Sequence, residues 1–192
     1  MNFLAHLHLA EQSGSSLVGN LLGDFVRGDP SKQYHQEWSE GIRLHRFVDS
    51  YTDSHPSIKA LLPLFAKQRR FAPIALDVFW DHCLINQWSR FHPHDVQQFC
   101  LKAQLKTHPR YIQQALPVRY QQVVGAMWDG KWLESYAKMD NIQYALHRMS
   151  LRSPRMAPLQ LCYSHLEQHY NHLNQVFLEF YPELIEAVRK IK

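Results

Sequence analysis

APIALDVFWDHCLINQWS, residues 72–89, decides how the chain is read. Ile74, Leu76, Val78, Phe79, Trp80, Leu84, Ile85 and Trp88 recur at helical spacing and surround the axis almost completely, which marks a helix buried on all sides. Asp77 and Asp81 sit inside this apolar helix, one turn apart on one face. His82 is rotated by about 100° from Asp81, so the three cannot reach one point without strain. A carboxylate in apolar surroundings is costly unless it is paired, hydrogen-bonded or metal-bound. Two on one face repel unless something cationic lies between them. The alternatives are a shared cation or arginines such as Arg69 and Arg70. His82 reads equally as a ligand or as a satisfied core histidine.

Working outward, the same pattern recurs. GIRLHRFVDSYTD (41–53) places His45, Asp49 and Asp53 at i, i+4 and i+8, a polar strip beside the apolar face of Leu44, Phe47, Val48 and Tyr51. The strip either builds a metal site at the rim of the core or pairs Asp49 and Asp53 with Arg46 and Arg43. SLVGNLLGDFVRG (16–28) carries Asp24 near the end of an apolar helix, with Asn20 one turn before it and Arg27 less than one turn after. MNFLAHLHLA (1–10) carries His6 and His8, which face differently. Hard oxygen ligands with one imidazole favour Mg²⁺ or Mn²⁺ over a thiolate-held zinc. Such a site binds a phosphate oxygen and activates a water to attack phosphorus. Arg27, Arg43 and Arg46 stand near these acids and suit a phosphate or an acidic partner.

Helical periodicity extends over nearly the whole chain: 3–11, 15–27, 36–53, 56–66, 73–90, 95–105, 109–115, 118–127, 130–136, 140–150 and 157–187, the last broken near Pro182. SGSS (13–16), GDPS (28–31), SHPS (54–57), FHPH (91–94), THPR (107–110) and RSPR (152–155) separate them, and Asp95 and Asp140 suit helix N-caps. Only LAHLHL (4–9) alternates as a strand would, and its flanks are helical. The expectation is one all-α domain, a helical bundle over residues 1–192. The last helix bears His165, His169 and His172 in a row, with no carboxylates clustered beside them, and reads as a solvated boundary face.

Composition narrows the class. The 192 residues are 45% hydrophobic, enough for a sizeable core, and 7 Gly with 10 Pro exclude a low-complexity chain. The net charge of +4 suits an acidic partner or phosphorylated substrate, although no nucleic-acid motif is present. No apolar run approaches the roughly 20 residues that span a bilayer, and the first residues make a poor signal peptide. Cys83, Cys100 and Cys162 are odd in number and widely spaced, as expected of buried reduced thiols in a cytoplasmic protein.

MNFLAHLHLA, SLVGNLLGDFVRG, GIRLHRFVDSYTDSHP and APIALDVFWDHCLINQWS, followed by WLESYAKMDNIQYALHRMSLRSPR (132–155) and FYPEL (180–184), together resemble the acyl carrier protein phosphodiesterases, a divergent all-helical branch of the HD-type metal-dependent phosphohydrolases. The resemblance implies hydrolysis of the phosphodiester joining 4′-phosphopantetheine to a serine of holo-acyl carrier protein, with Mn²⁺ or Mg²⁺. It also supplies an acidic partner for the basic residues. The HD pattern itself departs here: the adjacent pair is reversed, Asp81 then His82, and His45 is followed by Arg46. Asp24 then stands where the first histidine of that pattern would. The expected ligands are Asp24, His45, Asp77 and Asp81, with Asp49 next. His6 or His82 would protonate the leaving serine, and Arg27, Arg43 and Arg46 would meet the phosphate or the carrier protein. Two rival readings stay open: a metal phosphohydrolase of nucleotides or another small phosphodiester, and a non-enzymatic helical adaptor for an acidic partner.

Overall fold

A computed structural model describes residues 1–191. The described residues form helices without strands: α1 (Phe3–Gln12), α2 (Leu17–Leu22), α3 (Gln36–Ser54), α4 (Pro56–Leu61), α5 (Ala72–Asn86), α6 (Val96–Thr107), α7 (Val118–Asp129), α8 (Trp132–Ser135), α9 (Met139–Ser150), α10 (Cys162–Gln168) and α11 (Tyr170–Arg189). Tighter 3-10 turns lie between several of them, the longest being Leu62–Phe71 and Pro154–Leu161.

The all-α expectation is met, and α5 is the buried centre. Ala75, Phe79, Trp80, Cys83 and Leu84 have no solvent exposure, and α5 packs against α1, α9, α10 and α11. LAHLHL is helical, inside α1, with every residue from Leu4 to Ala10 buried. The three cysteines are free and buried.

Several boundaries differ from the periodicity, each for a local reason. The segment 15–27 is helical only over Leu17–Leu22. Beyond it the chain turns through Gly23 to Val26, and the Arg46 guanidinium donates to the carbonyls of Val26 and Gly28, at 2.8 Å each, to close the loop. The helix expected over 56–66 ends at Leu61, because Pro63 has no N–H to continue the ladder. The segment 109–115 keeps only the 3-10 turn Pro109–Tyr111. The last helix breaks at His169, not at Pro182, which lies inside α11. The neighbouring Phe177, Phe180, Tyr181 and Leu184 are buried there, and that burial offsets the hydrogen bond the proline forgoes. Asp95 caps α6 by accepting from Gln98 N at 2.7 Å. Asp140 instead lies in the first turn of α9, whose cap position is Lys138.

One crossing positions the site. Helices α2 and α3 touch backbone to backbone: a Cβ on Gly19 would stand 2.6 Å from the Trp38 carbonyl oxygen, and one on Gly41 would stand 2.8 Å from Gly19 Cα. The two helices run side by side in the same direction, so the turn after α2 meets α3 one turn beyond Gly41, at His45.

Candidate metal centre

Helix α1 supplies His6, α3 supplies His45 and Asp49, and the turn after α2 supplies Asp24. The imidazoles of His6 and His45 are stacked. His6 Nε2 lies 3.1 Å from Asp49 Oδ1, and His45 Nε2 lies 3.1 Å from Asp49 Oδ2. Asp24 Oδ1 approaches His45 Nε2 to 3.7 Å. Gly23 makes room for this arrangement, since a Cβ there would fall 2.2 Å from the His45 ring.

The electrostatics follow from the geometry. Burial works against the Asp49 carboxylate, but hydrogen bonds from His45 and His6 outweigh it and hold the carboxyl well below the usual range. Burial and the neighbouring His45 push the His6 imidazole down to about 3, so it is neutral at physiological pH. Half of the Asp24 side-chain surface meets solvent, yet protein crowds its carboxyl and raises its pKa, with Asp49 adding to the rise.

His6, His45 and Asp49 each place a donor atom within 4.8 Å of the others, the one such group of histidine, cysteine and acid side chains among the described residues. Metal–ligand bonds of about 2.0–2.2 Å set neighbouring donors roughly 3–4.4 Å apart, so this set fits a cation. His6 Nδ1 and His45 Nδ1 are buried without partners, as are both amide atoms of the fully buried Asn20. Buried polar groups are rarely left unpaired in a layer that serves packing alone.

The other expected residues lie elsewhere, and the quartet of Asp24, His45, Asp77 and Asp81 is split. Asp77 Oδ1 accepts from the Met1 amino group at 2.7 Å, and that amino group, 3.4 Å from Asp49 Oδ1, stands between the two acids. Asp81 is wholly buried and accepts from Leu4 N and Ala5 N, each at 2.9 Å, so both of its oxygens are committed to the start of α1. His82 points away from the cluster. Its Nδ1 meets the Tyr136 carbonyl at 2.8 Å and its Nε2 meets the Tyr170 hydroxyl at 2.9 Å, as a satisfied core histidine does. Arg43 faces Asp29 at 3.5 Å on the surface, and Arg46 is committed to the loop carbonyls. Arg27 and Asp53 are exposed. His8 is a core residue held by the Tyr181 hydroxyl and the Phe91 carbonyl. Of the histidine row, His165 meets Gln68 and His172 is exposed, as a boundary face would be. The residues underweighted by the sequence are His6 and Asp49, which form the centre of the cluster, and Gly23, whose role no local signal announces.

A family model described as acyl carrier protein phosphodiesterase matches residues 1–184, a span that includes every residue of the cluster. The chain belongs to the acyl carrier protein phosphodiesterase family. Curated relatives bearing that name include one from Pectobacterium atrosepticum, 44% identical over 191 residues, and one from Yersinia enterocolitica, 43% identical over 191 residues; each match covers 98% of both chains. Another, from Salmonella newport, is 43% identical over 195 residues and covers 99% of both. No solved structure matches this member of the family. No helix among the described residues is long and apolar enough to cross a membrane.

Proposed function

We propose that this chain hydrolyses the phosphodiester linking 4′-phosphopantetheine to the serine of holo-acyl carrier protein, using a divalent metal held by His6, His45, Asp49 and Asp24. The observation that carries the reading is the convergence of two histidines from different helices on one carboxylate, in a chain whose relatives are named for this substrate. Two imidazoles with two carboxylates and no thiolate favour Mn²⁺ over Mg²⁺, which prefers an all-oxygen shell. When bound, the ion would polarise a phosphoryl oxygen and lower the pKa of a water.

The chain's own groups divide the work. Asp49 stays ionised and aligns both imidazoles. His6 is neutral above pH about 3, so it holds its place beside Asp49 rather than acting as an imidazolium acid. His82, committed to Tyr136 and Tyr170, does not reach the leaving group. In the net reaction the oxygen of water bonds to phosphorus and the bond from phosphorus to the serine oxygen breaks. The serine oxygen takes a proton, leaving apo-carrier protein and 4′-phosphopantetheine. The net charge of +4 and the exposed Arg27 favour approach of an acidic carrier protein.

Mass spectrometry of holo-carrier protein incubated with this chain tests the reading. The prosthetic group should be lost with Mn²⁺ and retained with chelator. Loss that chelator leaves untouched overturns the metal. Retention of the group alongside metal-dependent cleavage of a small diester such as bis(p-nitrophenyl) phosphate overturns the substrate.

A further inference from the structure

Two stretches of the chain contain no acid, residues 54–76 and 141–166, and between them they carry Lys67, Arg69, Arg70, Arg148, Arg152 and Arg155. The fold packs these stretches together. The 3-10 segment Leu62–Phe71 meets both the 3-10 segment Pro154–Leu161 and α10. Gln68, between Lys67 and Arg69, accepts from His165 Nε2 at 3.2 Å, and the Phe65 and His165 rings lie 5.7 Å apart. The chain kinks at Ala66, in the left-handed region at φ 46°, and the next turn presents Lys67 to Arg70. All six cations are exposed. The arginines that pair with acids among the described residues are Arg43, Arg110 and Arg189, and none of the six does so. Arg69 and Arg70 do not reach the acids of α5 either, since Asp77 is held by the Met1 amino group and Asp81 by the start of α1.

This basic face adjoins the candidate centre. Leu62–Phe71 runs directly into α5, and Asp77 stands about 7.5 Å along that helix from its first residue, Ala72. Asp77 shares the Met1 amino group with Asp49, and the side chains of both acids open to solvent, 32% and 41% exposed. The face also carries an apolar anchor: Leu151, 63% exposed, lies between Arg148 and Arg152. Arginines around an exposed aliphatic side chain suit a protein surface, which can cover the leucine, better than a phosphate backbone. Arg27 is exposed and unpaired as well, but it stands between Asp24 and Asp29 in the sequence, which offset its charge.

We propose that the turn Lys67–Arg70 and the arginines Arg148, Arg152 and Arg155 form the docking surface for the acidic carrier protein, seating it beside the opening at Asp49 and Asp77. The assignment rests on the phosphodiesterase reading and names the surface, outside the centre, that would recognise the protein part of the substrate.

The test compares the wild-type chain with Arg69→Glu/Arg70→Glu, Arg152→Glu/Arg155→Glu and a control of equal charge change, Lys102→Glu/Lys190→Glu, at exposed positions on α6 and just after α11. Kinetics with holo-carrier protein over a salt series, calorimetric binding of apo-carrier protein, Mn²⁺ affinity and thermal unfolding are measured for each. Co-sedimentation with phosphatidylglycerol vesicles is run alongside. Each arginine pair should raise KM and weaken apo-carrier binding by roughly 10- to 100-fold, with kcat little changed, because reversed charges now meet like charges on the partner. Wild-type affinity should fall with added salt, and the arginine variants should lose most of that dependence. The lysine control should match wild type throughout, and every variant should keep its Mn²⁺ affinity and unfolding temperature. Wild-type KM and carrier affinity in both arginine pairs would overturn the face, as would an equal loss in the lysine control. A fall in kcat or Mn²⁺ affinity would place the arginines in the centre instead. Arginine-dependent vesicle binding with unchanged carrier affinity would give the face to a membrane surface and overturn the carrier as its occupant. A wild-type chain that never releases the prosthetic group would overturn the phosphodiesterase reading, and the apo-carrier comparison would still decide the face.

Discussion

The rings of His6 and His45 lie face to face, with centroids 3.8 Å apart and planes 14° from parallel. The His6 ring resists protonation here, because it is buried and the His45 ring lies against it. What holds them together is Asp49, which presents one carboxylate oxygen to each Nε2. Imidazole nitrogens from two helices thus gather around one carboxylate, an arrangement suited to a cation.

Asp49→Asn keeps the shape of this hub and removes its charge. Outer partners of metal ligands are already worth 10- to 100-fold in affinity or activity, so the loss of a central carboxylate should lower both Mn²⁺ affinity and turnover by at least about 100-fold. Calorimetric titration of the metal and the mass-spectrometric assay check this together. Unchanged metal affinity would remove Asp49 from the site.

Gly23→Ala tests the space that His45 occupies. The added methyl would fall 2.2 Å from the ring, so either the ring or the turn must shift, at a cost of about 1–3 kcal/mol. A displacement of about 1 Å at the site should lower activity by roughly 100-fold, while circular dichroism keeps its helical signal. A variant as active and as stable as wild type would show that the turn yields freely.

Asp81 is assigned to folding. Burial pushes its carboxyl up to about 7 against the hydrogen bonds from Ala5 and Leu4. Its folded value therefore lies above the unfolded one of about 3.9. Between these values the folded state holds a proton that the unfolded chain has released, so this group's contribution is full below pH about 4 and is lost as pH rises through about 7. Urea unfolding across pH 4–7 should show this downward slope, and Asp81→Asn, which cannot ionise, should lack it. Asp81→Ala should also lose about 1–3 kcal/mol by uncapping α1. Destabilisation absent in Asp81→Ala but activity abolished would return this residue to the metal.

His8 should act in the opposite direction. Burial pushes its imidazole down to about 4, with the Phe91 carbonyl opposing, while the unfolded chain titrates near 6.5. The neutral form is stabilising above the unfolded value, and that stability is lost as pH falls from about 6.5 towards 4, by at most about 3 kcal/mol. His8→Gln should flatten the acid limb of the unfolding profile. An unchanged limb would place the acid sensitivity at other groups.

The helices were legible because a 3.6-residue period is a local property. The period alone marks α5 as buried on all sides, and the Asp95 cap needs nothing beyond its own segment. The placement of His82 apart from Asp81 follows equally from rotation about a single axis. Boundaries failed where a local stop was overridden, as when α11 runs through Pro182 to keep Phe180, Tyr181 and Leu184 buried.

The site was legible only in part. The sequence by itself determined an all-α chain, the presence of costly acids within it, and the His45–Asp49 pair one turn apart on α3. Tertiary structure decided which polar groups meet. Asp81 points at α1 and caps it, whereas Asp49 points at His6, 43 positions away in the chain. That choice was made by where α1 lies, with Leu4 and Ala5 against Asp81 of α5 and His6 against Asp49 of α3. Spacing along one helix fixes the directions of its side chains relative to one another. Which neighbour lies in each direction depends on how whole helix surfaces pack, and that is a relation between residues far apart in sequence.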